Sequence, residues 1–144
     1  MDKQSGAQQL FRLKENECSV PTRNFISTVF IDSHKGHWVF PWRGGIWQID
    51  PVKKTFHKKT QGFIREQGQT KGLVVTAAVE DESGNIWFAD LDEGLILYNR
   101  KENIFSKPTE KEFKAQYTLT NLLYEKPYIW GATTGFVFRM KEPI

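Results

Sequence analysis

Residues 75–90 read Val75-Thr76-Ala77-Ala78-Val79-Glu80-Asp81-Glu82-Ser83-Gly84-Asn85-Ile86-Trp87-Phe88-Ala89-Asp90. A β-branched apolar run stops at an acidic turn, and a second apolar run follows. Asp in such a turn bonds its own downstream backbone, and Gly supplies positive φ. Two runs flanking this turn are consecutive strands. Further along, Gly94 opens the run Leu95-Ile96-Leu97-Tyr98, and Phe105 follows another turn. The same order stands 49 residues earlier, as Asp32, Trp38, Gly45 and Phe56 against Asp81, Trp87, Gly94 and Phe105. Four anchors at one offset define an internal repeat, which takes precedence over local readings.

A third copy is degraded. Residues 119–125 match 75–81, with Glu125 nearest the Asp place. Its turn is one residue shorter and contains Pro127; Trp130 takes the Trp place, and Gly135 takes the Gly place after a loop two residues shorter. Ahead of the first copy, Leu10-Phe11-Arg12-Leu13 reads as the end of an earlier unit, a remnant strand at 9–14. Each full unit predicts four short strands, in the first copy 26–31, 37–40, 45–50 and 55–58. No useful 3.6-residue period interrupts them, and 110–117 holds at most a short helix. Four antiparallel strands per 40–50 residues is the pattern of a propeller blade. The expectation is an all-β partial β-propeller, one domain over 1–144, with blades at about 25–58, 73–106 and 118–140.

These residues resemble the two-component regulator propeller repeat. Ile26 to Phe56 and Val75 to Phe105 carry the resemblance, and Leu119 to Arg139 matches in part. The resemblance implies a propeller from the extracytoplasmic sensor region of a bacterial hybrid histidine kinase, placed in the periplasm. Such receptors often detect oligosaccharides from polysaccharide breakdown, and sensor dimerisation belongs to their signalling. The sequence departs from the family in its few blades, its Glu125, and the missing Gly turn of the third copy. The signal peptide, following sandwich-like domain, membrane span and kinase modules usual in that family do not fit in these residues.

Composition narrows the function classes. Hydrophobic residues are 39% and charged residues 26%, which places the chain among soluble globular proteins. Its single cysteine, Cys18, excludes an internal disulfide framework and a cysteine-rich zinc site, and lacks a flanking basic residue to activate it. No apolar run approaches the ~18–20 residues of a membrane span, and residues 1–10 have no apolar signal core, so neither membrane contact nor a signal peptide is expected. A net charge of +3 is too mild for a nucleic-acid partner. Lys53, Lys54, Lys58, Lys59, Lys101, Lys107, Lys111 and Lys114 fall in outer strands and connections, where they read as a solvated periphery.

The anchors have structural roles in this reading. Asp32 and Asp81 fix hairpin turns, Trp38, Trp87 and Trp130 pack between blades, and Gly45, Gly94 and Gly135 let the chain turn into the third strand. Phe56 and Phe105 close the outer edges. Positions that vary between copies are the better functional candidates. The loops between second and third strands carry Pro41-Trp42-Arg43-Gly44, Asp90-Leu91-Asp92-Glu93 and Ala132-Thr133-Thr134, all at one end of a propeller. Trp42, Arg43, Asp90, Asp92, Glu93, Thr133 and Thr134 offer an aromatic plane, a guanidinium, carboxylates and hydroxyls. That mixture suits an oligosaccharide, whose apolar faces stack while its hydroxyls bond charged groups. His34 and His37 have no third ligand at metal spacing, so no metal or other cofactor is expected. No base is paired with a positioned partner, and no Gly-x-Ser-x-Gly elbow occurs, so no enzymatic activity is expected.

Roughly three blades cannot close a ring that typically has about 4–8. The end blades expose apolar faces, which further blades or a second copy of the chain would cover. A ligand-binding sensor segment is the favoured function. A protein-interaction scaffold and a propeller lyase are the alternatives.

Overall fold

The computed structural model of the chain describes residues 6–12, 25–59, 73–107 and 118–142. The expected short helix at 110–117 and Cys18 lie outside these residues. Three antiparallel sheets follow one another along the chain. The first contains β1 (Ile26–Ile31), β2 (His37–Pro41), β3 (Trp47–Asp50) and β4 (Thr55–Lys58). The second contains β5 (Val75–Glu80), β6 (Ile86–Asp90), β7 (Gly94–Asn99) and β8 (Ile104–Ser106). The third contains β9 (Leu119–Glu125), β10 (Tyr128–Thr133) and β11 (Val137–Lys141). Within each sheet the strands pair in chain order. The first strands of successive sheets abut, β1 on β5 and β5 on β9, so they form the inner rim and β4 and β8 the outer one. This is the partial propeller the repeat predicts, with blades of four, four and three strands.

Alternation sorts each blade's side chains onto two faces. In the first blade, Trp38, Phe40 and Ile46 turn toward the second, where they meet Leu73, Val75, Ile86, Phe88, Ile96 and Tyr98. The rings interlock, with Trp38 centred 5.7 Å from Phe88 and 5.3 Å from Tyr98, and Phe40 5.6 Å from Phe88. From the other face of the second blade, Trp87, Ala89 and Leu95 meet Leu119, Leu122 and Ile129 of the third. Phe105 stacks at 4.9 Å on Tyr98 of its own blade, and Phe56 packs with Val39, Trp47 and Ile49 of the first.

The six-residue spacing of Asp and Trp has a direct cause. The Trp38 indole N–H donates to Asp32 at 2.8 Å, and the Trp87 indole to Asp81 at 2.9 Å. The same carboxylates accept the turn amides, His34 and Gly36 for Asp32 and Asn85 for Asp81. In the third blade Glu125 takes this place and accepts the Trp130 indole at 3.1 Å. Its extra methylene spans the gap left by the shorter turn.

A second recurrent device ties the inner strands. The Ser27 hydroxyl lies 2.9 Å from the Phe40 carbonyl of its own blade and 2.6 Å from the Val75 carbonyl of the next. Thr76 repeats this toward Ala89, at 3.4 Å, and Leu119, at 2.9 Å. Thr120, the third member, reaches the Ala132 carbonyl at 3.3 Å. It stands on the last described blade.

Several expectations are corrected. Trp130 does not lie between two described blades. It faces outward, half-buried, with the Arg139 guanidinium 5.5 Å from its ring and 4.1 Å from Tyr128. Gly135 does not take the place of Gly94. Trp87 pairs with Leu97, but Trp130 pairs with Arg139, so Phe136 is the equivalent of Gly94. That one-residue slip turns Phe138 and Met140 toward the second blade and Arg139 outward. Gly131 then stands where Phe88 does in the second blade, and a Cβ there would lie 2.2 Å from the Phe138 ring. In the first hairpin Lys35, not Gly36, takes positive φ, at 66°. Gly36 is needed for closeness, because a Cβ would fall 2.5 Å from the Asp32 carboxylate. Gly45 and Gly94 do take positive φ, 87° and 80°. Of the remnant at 9–14, residues 9–12 are described and form no strand.

Candidate functional site

The β2–β3 and β6–β7 loops come to one end of the first two blades. Trp42 and Leu91 are held there by backbone N–H bonds to the Phe25 and Val74 carbonyls, at 2.6 and 3.1 Å. Each loop is thereby pinned to the segment that enters its own inner strand. Trp42 is half-buried and stands edge-on to Phe25, ring centres 5.6 Å apart. Phe25 itself is 60% exposed, so the pair presents an aromatic surface to solvent. Sequence reasoning missed Phe25, which sits just ahead of the repeat pattern.

Arg43 follows in a left-handed backbone conformation, φ 56°, which is uncommon for a residue with a Cβ. Its Nη1 lies 3.5 Å from Asp92 Oδ2 on the neighbouring blade. Both side chains are partly exposed, so this ion pair is worth about 0–1 kcal/mol. That nitrogen is buried and has no hydrogen-bond acceptor. The contact therefore brings two expected site residues together across the blade boundary without giving that nitrogen a hydrogen bond.

The other candidates have different surroundings. Asp90 is fully buried. One of its oxygens accepts the Val74 N–H at 2.6 Å, and the other accepts Asp92 and Glu93 N–H at 2.9 and 2.8 Å. It organises the loop and its junction with β5. Glu93 is nearly buried in an ion pair with Lys107. Thr133, at the place of Asp90, accepts the Gly135 and Phe136 amides at 3.2 and 3.0 Å, within its own turn. Thr134 is exposed in that turn. The candidate surface that remains is Phe25, Trp42, Arg43 and Asp92.

At the opposite end, the blades are joined by a polar network that sequence reasoning did not detect. Arg100 of the second blade reaches Asp32 of the first at 3.3 Å and Glu80 at 3.3 Å. Glu80 accepts both the amide and the hydroxyl of Ser33, at 2.7 and 2.5 Å. Burial works to raise the Asp32 pKa, but the Trp38 indole, the Gly36 and His34 amides and Arg100 together hold it below the ordinary value. The folded pKa is depressed, so this stability is present above the unfolded value of about 3.9 and is lost as pH falls through the folded value. Trp38→Phe is expected to destabilise the chain by about 1.5–3 kcal/mol and to move acid unfolding to higher pH. Circular dichroism against pH checks both; an unchanged acid limb contradicts the assignment.

Two cavities flank the first blade. One, of about 380 Å³, runs along its outer face and is lined by Leu10, Phe11, Val29, Val39, Ile49 and Phe56 among others. The other, of about 410 Å³, is polar and lined by Lys35, His37, Gln48, Asp50 and His57 among others. Among the described residues no three His, Cys, Asp or Glu side chains are grouped to hold a metal.

No protein-family model matches the sequence, and no curated protein does. Solved structures are similar. The extracellular domain of the hybrid two component system BT4673 from B. thetaiotaomicron superposes with a TM-score of 0.69 at 14% identity, over 88% of this chain and 16% of that one. The corresponding domain of BT3049 from the same organism gives 0.60 at 14% identity, over 82% and 15%. PorZ, a surface component of the type-IX secretion system of Porphyromonas gingivalis, gives 0.62 at 18% identity, over 85% and 21%. At these identities the likeness is one of fold, and the chain spans about a fifth or less of each neighbour's length.

Proposed function

We propose that this chain is a non-enzymatic, extracytoplasmic ligand-binding segment of a two-component signalling receptor, and that its ligand is an oligosaccharide. The carrying observation is the loop end of the first two blades, where the Phe25–Trp42 aromatic pair adjoins the partly exposed Arg43–Asp92 ion pair across the blade boundary. Aromatic faces cover the C–H faces of a sugar ring, and a guanidinium and a carboxylate bond its hydroxyls. The shared fold of two extracellular two-component domains supports the signalling context and the extracytoplasmic location. Because Arg43 and Asp92 belong to different blades, a ligand bridging them bears on the blade boundary.

The test is a thermal-shift screen with short neutral and acidic oligosaccharides. A ligand at about a hundredfold excess over its Kd adds about 2.7 kcal/mol and raises the melting midpoint by several degrees. Trp42→Ala and Arg43→Ala are each expected to abolish that rise. A rise that survives both substitutions places the ligand elsewhere, and no rise with any sugar removes the oligosaccharide reading.

A further inference from the structure

The two loops of the candidate surface carry four ionisable side chains, Arg43 on the first blade and Asp90, Asp92 and Glu93 on the second. Among the described residues each of these charges is met inside the protein. Arg43 Nη1 lies 3.5 Å from Asp92 Oδ2 across the blade boundary. Glu93 is paired with Lys107, and both are largely withdrawn from solvent. Asp90 is fully buried and both its oxygens accept backbone amides, Val74 on one and Asp92 and Glu93 on the other. The matching turn of the third blade brings Thr133 and Thr134, which carry no charge.

The repeat gives this balance an internal comparison. Glu93 and Lys107 correspond, 49 residues earlier, to Gly44 and Lys58. The lysine is common to both blades and the carboxylate is not. Where the loop has no carboxylate, Lys58 rests over the Trp47 ring, 5.9 Å from its centre. Where the loop brings one, the lysine pairs with it. The acid added by the second loop is thus answered by a cation of its own blade and adds no open charge to the surface.

We infer that the ligand taken at this surface is an uncharged oligosaccharide, and that Arg43 and Asp92 form a charge-selecting pair that turns acidic ones away. The inference rests on the oligosaccharide reading given above. A neutral sugar meets the pair without upsetting its balance: one hydroxyl donates to Asp92 while its neighbour accepts from Arg43. A uronate or sulfate reaches Arg43 only with the like charge of Asp92 beside it, so the repulsion offsets what the guanidinium returns. Specificity of this kind comes from a built-in repulsive group and not from missing contacts. Phe25 and Trp42 supply stacking surface that is indifferent to the charge of the sugar.

Matched sugars test this on the intact chain by titration calorimetry: galactotriose against trigalacturonate, and mannotriose against trimannuronate, each pair sharing its linkage. The neutral member of a pair is expected to bind at least about tenfold more tightly than the acidic one, and its affinity to be the same at low and high salt. Asp92→Asn leaves Arg43 unopposed. It is expected to shift the ratio about tenfold toward the acidic member, whose binding then weakens as salt is added. Equal or tighter binding of the acidic member to the wild type, abolished by Trp42→Ala, overturns the charge selection and leaves the oligosaccharide reading standing. A ratio unmoved by Asp92→Asn overturns the role of the pair. If that variant fails to fold, the wild-type ratio and its salt dependence decide. Binding of neither member of either pair overturns the oligosaccharide reading and this inference with it.

Discussion

Trp87→Ala is expected to be the most destabilising single substitution in the chain. Trp87 is fully buried between the second and third blades, and its indole N–H is bonded to Asp81. Removing a buried Trp costs about 3–5 kcal/mol through lost transfer energy and the cavity left behind. The change also withdraws a donor from Asp81, itself only 7% exposed, which adds the cost of an under-satisfied buried carboxylate. Domains this size have roughly 5–15 kcal/mol in total, so the loss is a large part of what there is. Trp130→Ala is the internal control, because Trp130 bonds its acid in the same way but faces outward. It is expected to cost less than about 1 kcal/mol. Urea denaturation followed by circular dichroism measures both. Equal losses would refute the assignment of the two faces.

Asp90→Ala is the second large loss, of about 2–4 kcal/mol. Its carboxylate satisfies three backbone amides in a fully buried setting. Alanine leaves the Val74, Asp92 and Glu93 N–H groups to find water or go without, and each buried orphan costs about 1–3 kcal/mol. Some of that is recovered where solvent enters the loop. Asp90→Asn keeps an acceptor oxygen and is expected to lose about half as much. The experiment also separates two roles. A residue that only contacts ligand would leave the melting temperature of the free protein unchanged, and that result would remove the structural role given to Asp90.

The blade order was legible because the anchors are local and recur. Asp, Trp and Gly mark a hairpin and the entry to the next strand, and each acts within a few residues of its partner. The third copy was harder to read. Gly135 looks like Gly94, but the pairing of Trp130 with Arg139 is set across two strands and by the turn at Thr133. A glycine nearby is not the same as a glycine at the required φ. Gly131 is similar: it matters because of Phe138, seven residues on in the chain and opposite it in the sheet. The link from Arg100 to Asp32 spans 68 positions and exists only because one blade lies on another. For the loop end, the Trp42 and Arg43 positions stood out by not repeating. The burial of Asp90 and the pairing of Glu93 with Lys107 depend on packing behind the loop, which residue type does not reveal.

The bond from Glu125 to the Trp130 indole bears on how such a chain tolerates insertion and deletion. A hairpin that loses one residue would normally lose the acid–indole contact, and the blade would lose its latch. One added methylene restores the reach. Turn length and side-chain length are thus interchangeable here, so copies of the repeat can drift apart in length while the latch survives. A search that demands a fixed Asp-to-Trp spacing passes over the shortened copies, and one that accepts Glu at five residues as well as Asp at six will find them.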